Sequence, residues 1–188
     1  MSAPVRILGI DPGLRRTGWG VVTATGTRLA YVDCGVVTSD GELPLALRLR
    51  ELYEGVTRIV EAFRPDEVSV EETFVNKDAQ ATLKLGHARA VALLVPALAG
   101  VPVFEYSANL IKKTVAGSGH AEKSQIQAMV KFLLPKAEFR LADAADALAI
   151  AITHNSHRGA HALKRSHLPA GATGKAAERI AAALARQA

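Results

Sequence analysis

The chain has 188 residues, of which 49% are hydrophobic, with a net charge of +5 and a single cysteine. That length carries one domain with a sizeable core, and the composition excludes a disordered chain, a disulfide scaffold and a collagen-like repeat. The most apolar stretches, 91–99 and 144–152, are too short to span a membrane. The first residues lack the long apolar run of a signal peptide. With one cysteine, Cys34 in an apolar strand pattern, the expected setting is reducing and cytoplasmic.

Taken in order, residues 5–11 (VRILGID) form a nearly continuous apolar run, as in a central strand covered on both faces. Pro12-Gly13 turns the chain. Segments 17–25 and 28–38 are rich in β-formers and meet around Gly26, which predicts an antiparallel hairpin. Residues 44–64 place Leu45, Leu49, Leu52, Val56, Ile59 and Val60 on one helical side, and Pro65 stops the helix. A short strand at 67–71 leads into a polar loop at 73–78 and a long helix over 80–99, closed by Gly100. A fifth strand covers 101–106. Ser107 is a suitable N-cap for a short helix to Thr114. After the glycine loop at 117–120, helices are expected over 122–134 and 141–154. Three strands in meander followed by alternating helix and strand predict an α/β domain with a five-stranded mixed sheet flanked by helices.

Charge divides the chain. From His157 onward there are six basic residues (Arg158, Lys164, Arg165, Lys175, Arg179, Arg186) against Glu178 alone, so this segment carries the whole +5. The expected organisation is a globular α/β domain over 1–156 and a basic tail over 157–188. A basic tail on a neutral domain attracts polyanions, although a solvated tail has the same composition.

The strongest chemical signal is energetic. In 141–152, LADAADALAIAI, every residue is Leu, Ala or Ile except Asp143 and Asp146. Such a helix is expected to be buried, and a spacing of three puts both carboxylates on one side. Two like charges there are unfavourable unless neutralised, and no Lys or Arg lies on the segment to pair with them. A divalent cation would neutralise them. The alternative is a first-turn helix position, which accounts for Asp143 better than for the deeper Asp146.

Two further acids end strands. Asp11 closes 5–11 just before Pro12-Gly13, where an ordinary Asp-Pro-Gly turn is the plainer reading. At 67–71, alternation places Val68, Val70 and Glu72 on one face and Glu67, Ser69 and Glu71 on the other. Spacing alone leaves Glu71 and Glu72 equally eligible. Together the acids suit a hard, oxygen-liganded cation such as Mg²⁺.

Four segments carry a resemblance. ILGIDPGLRRTGWG (7–20), VEETFVNKDAQATLKLGHARAVA (70–92), PVFEYSANLIKKTVAGSGHAEKSQIQ (102–127) and ADAADALAIAITH (142–154) resemble, in order, the RuvC family of Holliday junction resolvases. The resemblance covers nearly all of 5–156 and none of the tail. It implies an RNase H-like fold and a homodimer that nicks two strands of like polarity in a four-way DNA junction. It also implies a partnership with the RuvA–RuvB branch-migration complex. It assigns Asp11, Glu71, Asp143 and Asp146 as metal ligands and catalytic residues, choosing Glu71 over Glu72. Mg²⁺ or Mn²⁺, two ions per subunit, would serve hydrolysis that leaves 5′-phosphate and 3′-hydroxyl ends.

Of the candidate lysines Lys112, Lys113 and Lys123, the resemblance points to Lys112 and Lys123 as catalytic aids; a solvated helix face is the alternative. Lys113 is then a DNA contact. Phe74, in the loop after Glu71, can stack on a base or anchor the loop. Lys77, Lys84 and Arg89 continue along that loop and helix, where phosphate contacts would position DNA. For His87, His120 and His154, surface or packing roles are expected. Three rival readings remain: an actin-like or sugar-kinase ATPase, a non-catalytic junction-binding module, and a nuclease for RNA–DNA hybrids. The first needs a second nucleotide-binding domain, for which the chain is too short.

Overall fold

A computed structural model describes residues 3–72 and 78–165, with side chains through 159. Phe74, Lys77 and the chain after Arg165 lie outside the described residues. Backbone contacts set off 1–156 as one unit.

The strands are β1 (Val5–Asp11), β2 (Arg16–Thr25), β3 (Arg28–Thr38), β4 (Glu67–Glu71) and β5 (Val103–Tyr106). The helices are α1 (Leu45–Phe63), α2 (Ala79–Leu98), α3 (Ala108–Ala116), α4 (Lys123–Leu133) and α5 (Ala142–Arg165). The sheet order is β3-β2-β1-β4-β5. β1, β2 and β3 are antiparallel neighbours, while β4 lies parallel to β1 and β5 parallel to β4. This is the mixed five-stranded sheet read from the sequence.

β1 is central, and its continuous apolar run serves two cores. Ile7 packs on one side with Val22, Tyr106, Ile111, Ile126 and Leu148, beneath α3, α4 and α5. Leu8 and Ile10 pack on the other with Val56, Val60, Val68, Val70 and Val95, beneath α1 and α2. Strand alternation divides one segment between two layers.

Local signals start and stop the elements as expected. Arg64 ends α1 in the left-handed region at φ 44° ahead of Pro65. The Asp78 carboxylate accepts from the backbone N–H groups of Gln80 and Ala81 at the start of α2. Ser107 Oγ accepts from Leu110 N–H at the start of α3.

The last helix departs from expectation. It runs to Arg165, past the 156/157 boundary, because nothing between His154 and Arg165 stops it. No proline occurs there, and Gly159 is flanked by tolerant helix formers.

Candidate active site

Asp11 and Glu71 end adjacent parallel strands at the same level, since Ile10 of β1 is in register with Val70 of β4. Across β1, Asp11 is in register with Gly18 of β2. The helix carrying the other two acids lies close over this ledge, and glycine permits the approach. A Cβ on Gly9 would sit 2.1 Å from the Ala147 carbonyl oxygen, and one on Gly18 would sit 2.0 Å from that of Asp143. Without side chains at these positions, the backbone of α5 rests directly on the sheet. Asp143 therefore lies over the partner of Asp11.

Asp146 meets Glu71 across a cleft of about 270 Å³, lined also by Lys112 of α3 and Lys123 of α4, with an apolar floor of Ile111, Ile126 and Ala149. A larger groove of about 580 Å³ between α1 and β3, lined by Trp19, Val37, Glu51 and Phe63 among others, contains none of the four acids.

The electrostatics show the acids acting on one another. Burial, then the charges of Glu71, Asp146 and Asp143, push the Asp11 carboxyl up to about 8. Burial, then Asp146, raises Glu71, while Lys112 and Lys123 oppose the rise. Burial also raises Asp146, outweighing the hydrogen bond and charge of Lys123. That hydrogen bond in turn raises Lys123. A cluster that resists ionising is what a divalent cation relieves.

The sequence argument about α5 needs one correction. The two aspartates do have cationic partners, supplied by other elements. Lys123 Nζ lies 2.9 Å from Asp146 Oδ2, and Arg16 Nε lies 3.2 Å from Asp143 Oδ2. Their side chains keep 20% and 21% exposure, so neither carboxylate is fully buried. Asp143 also lies in the first helical turn, where the dipole favours it. As the side chains stand, no three His, Cys, Asp or Glu among the described residues converge closely enough to hold an ion. The chemistry of the set nevertheless fits one: four carboxylates, three of them driven toward protonation by burial and by neighbouring acids. Arg16 and Lys123 hold the positive charge that an ion would bring.

The remaining candidates separate. Lys112 is half-buried at the cleft, and Lys113 is exposed in the last turn of α3. Lys84 is exposed on α2. Arg89, read as a phosphate contact, is ion-paired with Glu105 of β5 and half-buried. His87 and His120 are exposed, whereas His154 is wholly buried, the packing role expected of it. Sequence reasoning missed Arg16, the first residue of β2, which falls just ahead of the 17–25 segment read as a strand. It also missed Gly9 and Gly18, whose role exists only beneath α5.

Comparison with known proteins accords with this arrangement. The family model described as crossover junction endodeoxyribonuclease RuvC matches residues 7–154. A crossover junction endodeoxyribonuclease RuvC of Methylorubrum extorquens (strain PA1) is 80% identical over 186 residues, 99% of this chain and 98% of that protein. One from Methylobacterium radiotolerans is 85% identical over 171 residues, 91% of this chain and 83% of that protein. Among solved structures, T. thermophilus RuvC in complex with Holliday junction substrate is similar with a TM-score of 0.76 and 34% identity, covering 82% of this chain and 96% of that one. The fold is RNase H-like. With the family match spanning residues 7–154 and relatives this similar over 83% and 98% of their own length, the chain belongs to the RuvC family of crossover junction endodeoxyribonucleases.

Proposed function

We propose that this chain resolves four-way DNA junctions by paired, symmetric nicks, using Asp11, Glu71, Asp143 and Asp146 as ligands for divalent metal. RuvC-family enzymes are metal-dependent nucleases. The observation that carries the reading is the placement of the four acids at one end of the sheet, Asp11 and Glu71 on adjacent strand ends beneath the α5 turn that bears Asp143 and Asp146, near enough for the charges of the other three to raise Asp11. A structural relative was solved with a Holliday junction substrate, which supports the choice of DNA.

Mg²⁺ or Mn²⁺, two ions per subunit, would supply Lewis acidity toward the attacking water and the leaving 3′ oxygen. The protein's own groups do the rest. Gly9 and Gly18 let α5 hold its acids against β1 and β2. Lys112 and Lys123, lining the cleft with Glu71 and Asp146, place positive charge where a phosphate gains negative charge. Lys123, paired here with Asp146, is the cation that would turn to a phosphate oxygen once Asp146 serves as a ligand. Lys84 and Lys113, both exposed, hold the DNA backbone without reading sequence, and the DNA contacts expected of Phe74 and Lys77, outside the described residues, belong to the same reading.

We read the active form as a homodimer. α2 leaves Leu83, Leu94 and Leu98 exposed at 65%, 53% and 66%, in step with His87 and Ala90 along one stripe. The same helix is long and apolar enough to cross a membrane by length and composition. A partner helix covers such a stripe, and a two-fold dimer matches the pseudo-two-fold of a junction. Joint action with RuvA–RuvB and a cytoplasmic setting belong to the same reading; the thiol of Cys34, between the Tyr31 hydroxyl and the Glu138 carbonyl, suits reducing conditions.

The test incubates the protein with a labelled junction, linear duplex or RNA–DNA hybrid, in Mg²⁺, Mn²⁺ or EDTA. Ligatable, symmetric nicks confined to the junction and lost in EDTA support the reading. Asp146→Asn should bind the junction and cut it at least ~10³-fold more slowly. Cutting of the hybrid alone, or undiminished cutting by Asp146→Asn, refutes it.

A further inference from the structure

Asp146 and Glu71 lie on different elements, so their separation depends on how far α5 has slid along the sheet. Where α5 crosses β1 the packing is small and apolar, Ala147 and Ala151 against Gly9, and hydrophobic contact has no direction. At the acid end the directional contacts of α5 are the partly exposed pairs with Arg16 and Lys123. A buried set of directional contacts occurs further along the helix. His154 is wholly buried. Its Nε2 lies 2.8 Å from Glu67 Oε2, and its Nδ1 lies 2.7 Å from the Tyr106 hydroxyl. The ring also packs against Phe104, with centroids 4.5 Å apart.

These partners bear directly on the acids. Glu67 begins β4 and Glu71 ends it, a separation of four residues or roughly 13 Å of strand. Asp146 and His154 are eight residues apart on α5, roughly 12 Å of helix. The two spans match. One end of the paired segments holds the His154–Glu67 contact, and the other holds the carboxylate pair. Tyr106 is itself the register partner of Glu71. The Tyr106 hydroxyl at Nδ1 and the Glu67 carboxylate at Nε2 hold the ring at both of its nitrogens. A slip of one helical residue, about 1.5 Å, would break both hydrogen bonds of a wholly buried ring.

We propose that Glu67, His154 and Tyr106 form a register pin that stops α5 at one place on the sheet and thereby sets the distance between Glu71 and Asp146. They are positioning residues, remote from the reacting phosphate. The inference rests on the metal-site reading above.

Glu67→Ala and Glu67→Gln in the full-length chain test it, with Mn²⁺ binding to the DNA-free protein followed by electron paramagnetic resonance, alongside junction affinity and single-turnover cleavage. Glu67→Ala should weaken Mn²⁺ binding and slow cleavage by ~10–100-fold while junction affinity changes by less than about 2-fold, the pattern of a misplacement near 1 Å. Glu67→Gln, which keeps an acceptor for Nε2–H, should recover most of both losses. Folded Glu67→Ala with normal Mn²⁺ binding and rate overturns the pin. So does a loss of metal binding, cleavage and junction binding together in proportion to the unfolded fraction. Should Glu67→Ala not fold, Tyr106→Phe, which removes one hydroxyl, is judged by the same criteria. Asp146→Asn serves as control: continued cutting by it means the site reading has failed, whereas its inactivity beside a normal Glu67→Ala means the pin alone has failed.

Discussion

Gly9→Ala is the sharpest probe of how this site is built, because it adds one methyl group and changes no charge. The new Cβ would sit 2.1 Å from the Ala147 carbonyl oxygen and 2.8 Å from the Ala151 nitrogen. An ordinary carbon–oxygen contact is about 3.3 Å, so α5 and β1 must part by roughly 1.2 Å. Both obstacles are helix backbone, so no side chain can swing aside. Overpacking of this kind costs about 2 kcal/mol, which lowers Tm by roughly 4–8 °C for a chain of this size. The larger effect is on chemistry. The same separation carries Asp143 and Asp146 away from Asp11, and a displacement near 1 Å slows reaction on the order of 10²-fold. Single-turnover cleavage of a four-way junction, at saturating Mg²⁺ and below both melting transitions, reads the rate, and a gel-shift titration reads binding. Gly41→Ala is the control, since a Cβ there meets nothing within 4 Å. A folded Gly9→Ala protein that cuts at the normal rate would refute the claim that this close approach sets the site.

Further expectations follow from the charges and from the α2 stripe. Asp11 has its carboxyl raised from 3.8 to about 8, so its contribution to metal-free stability is full below about pH 4 and lost as pH rises through about 8. Thermal melts without metal should therefore fall for the wild type relative to Asp11→Asn between pH 6 and 8.5. The rise in Tm on adding Mg²⁺ should grow over that range, and parallel profiles would contradict the assignment. Arg16→Ala removes a half-exposed pair with Asp143; stability should change by less than ~1 kcal/mol, while the Mg²⁺ needed for half-maximal cleavage falls because a competing cation has gone. Leu94→Glu, at an exposed position of α2, should convert a dimer to monomers in light scattering with the far-ultraviolet circular dichroism unchanged; a persisting dimer places the interface elsewhere.

Much of this protein was determined by sequence alone. The two-faced apolar run of β1, the turn at Pro12-Gly13, the periodicity of α1 and the Ser107 cap each encode local structure, and the ordered set of elements specifies a mixed α/β sheet. The oddity of Asp143 and Asp146 in an apolar helix was visible for the same reason: local pattern tells which residues share a face. It does not tell what lies opposite. Alternation grouped Glu71 with Glu67 and Ser69, but only the placement of α5 over that face makes Glu71, and not Glu72, the neighbour of Asp146. Arg16 and Lys123 reach α5 from β2 and α4, so the helix's own sequence could not reveal that its aspartates are paired. Arg89 reads as a free cation on α2 until Glu105 of β5 meets it. Gly9 looks like a weak point in a strand, and its purpose appears only when the backbone of α5 arrives 2.1 Å from where a Cβ would be. Partners that meet across layers are chosen by tertiary packing, since their separation along the chain leaves no periodic trace.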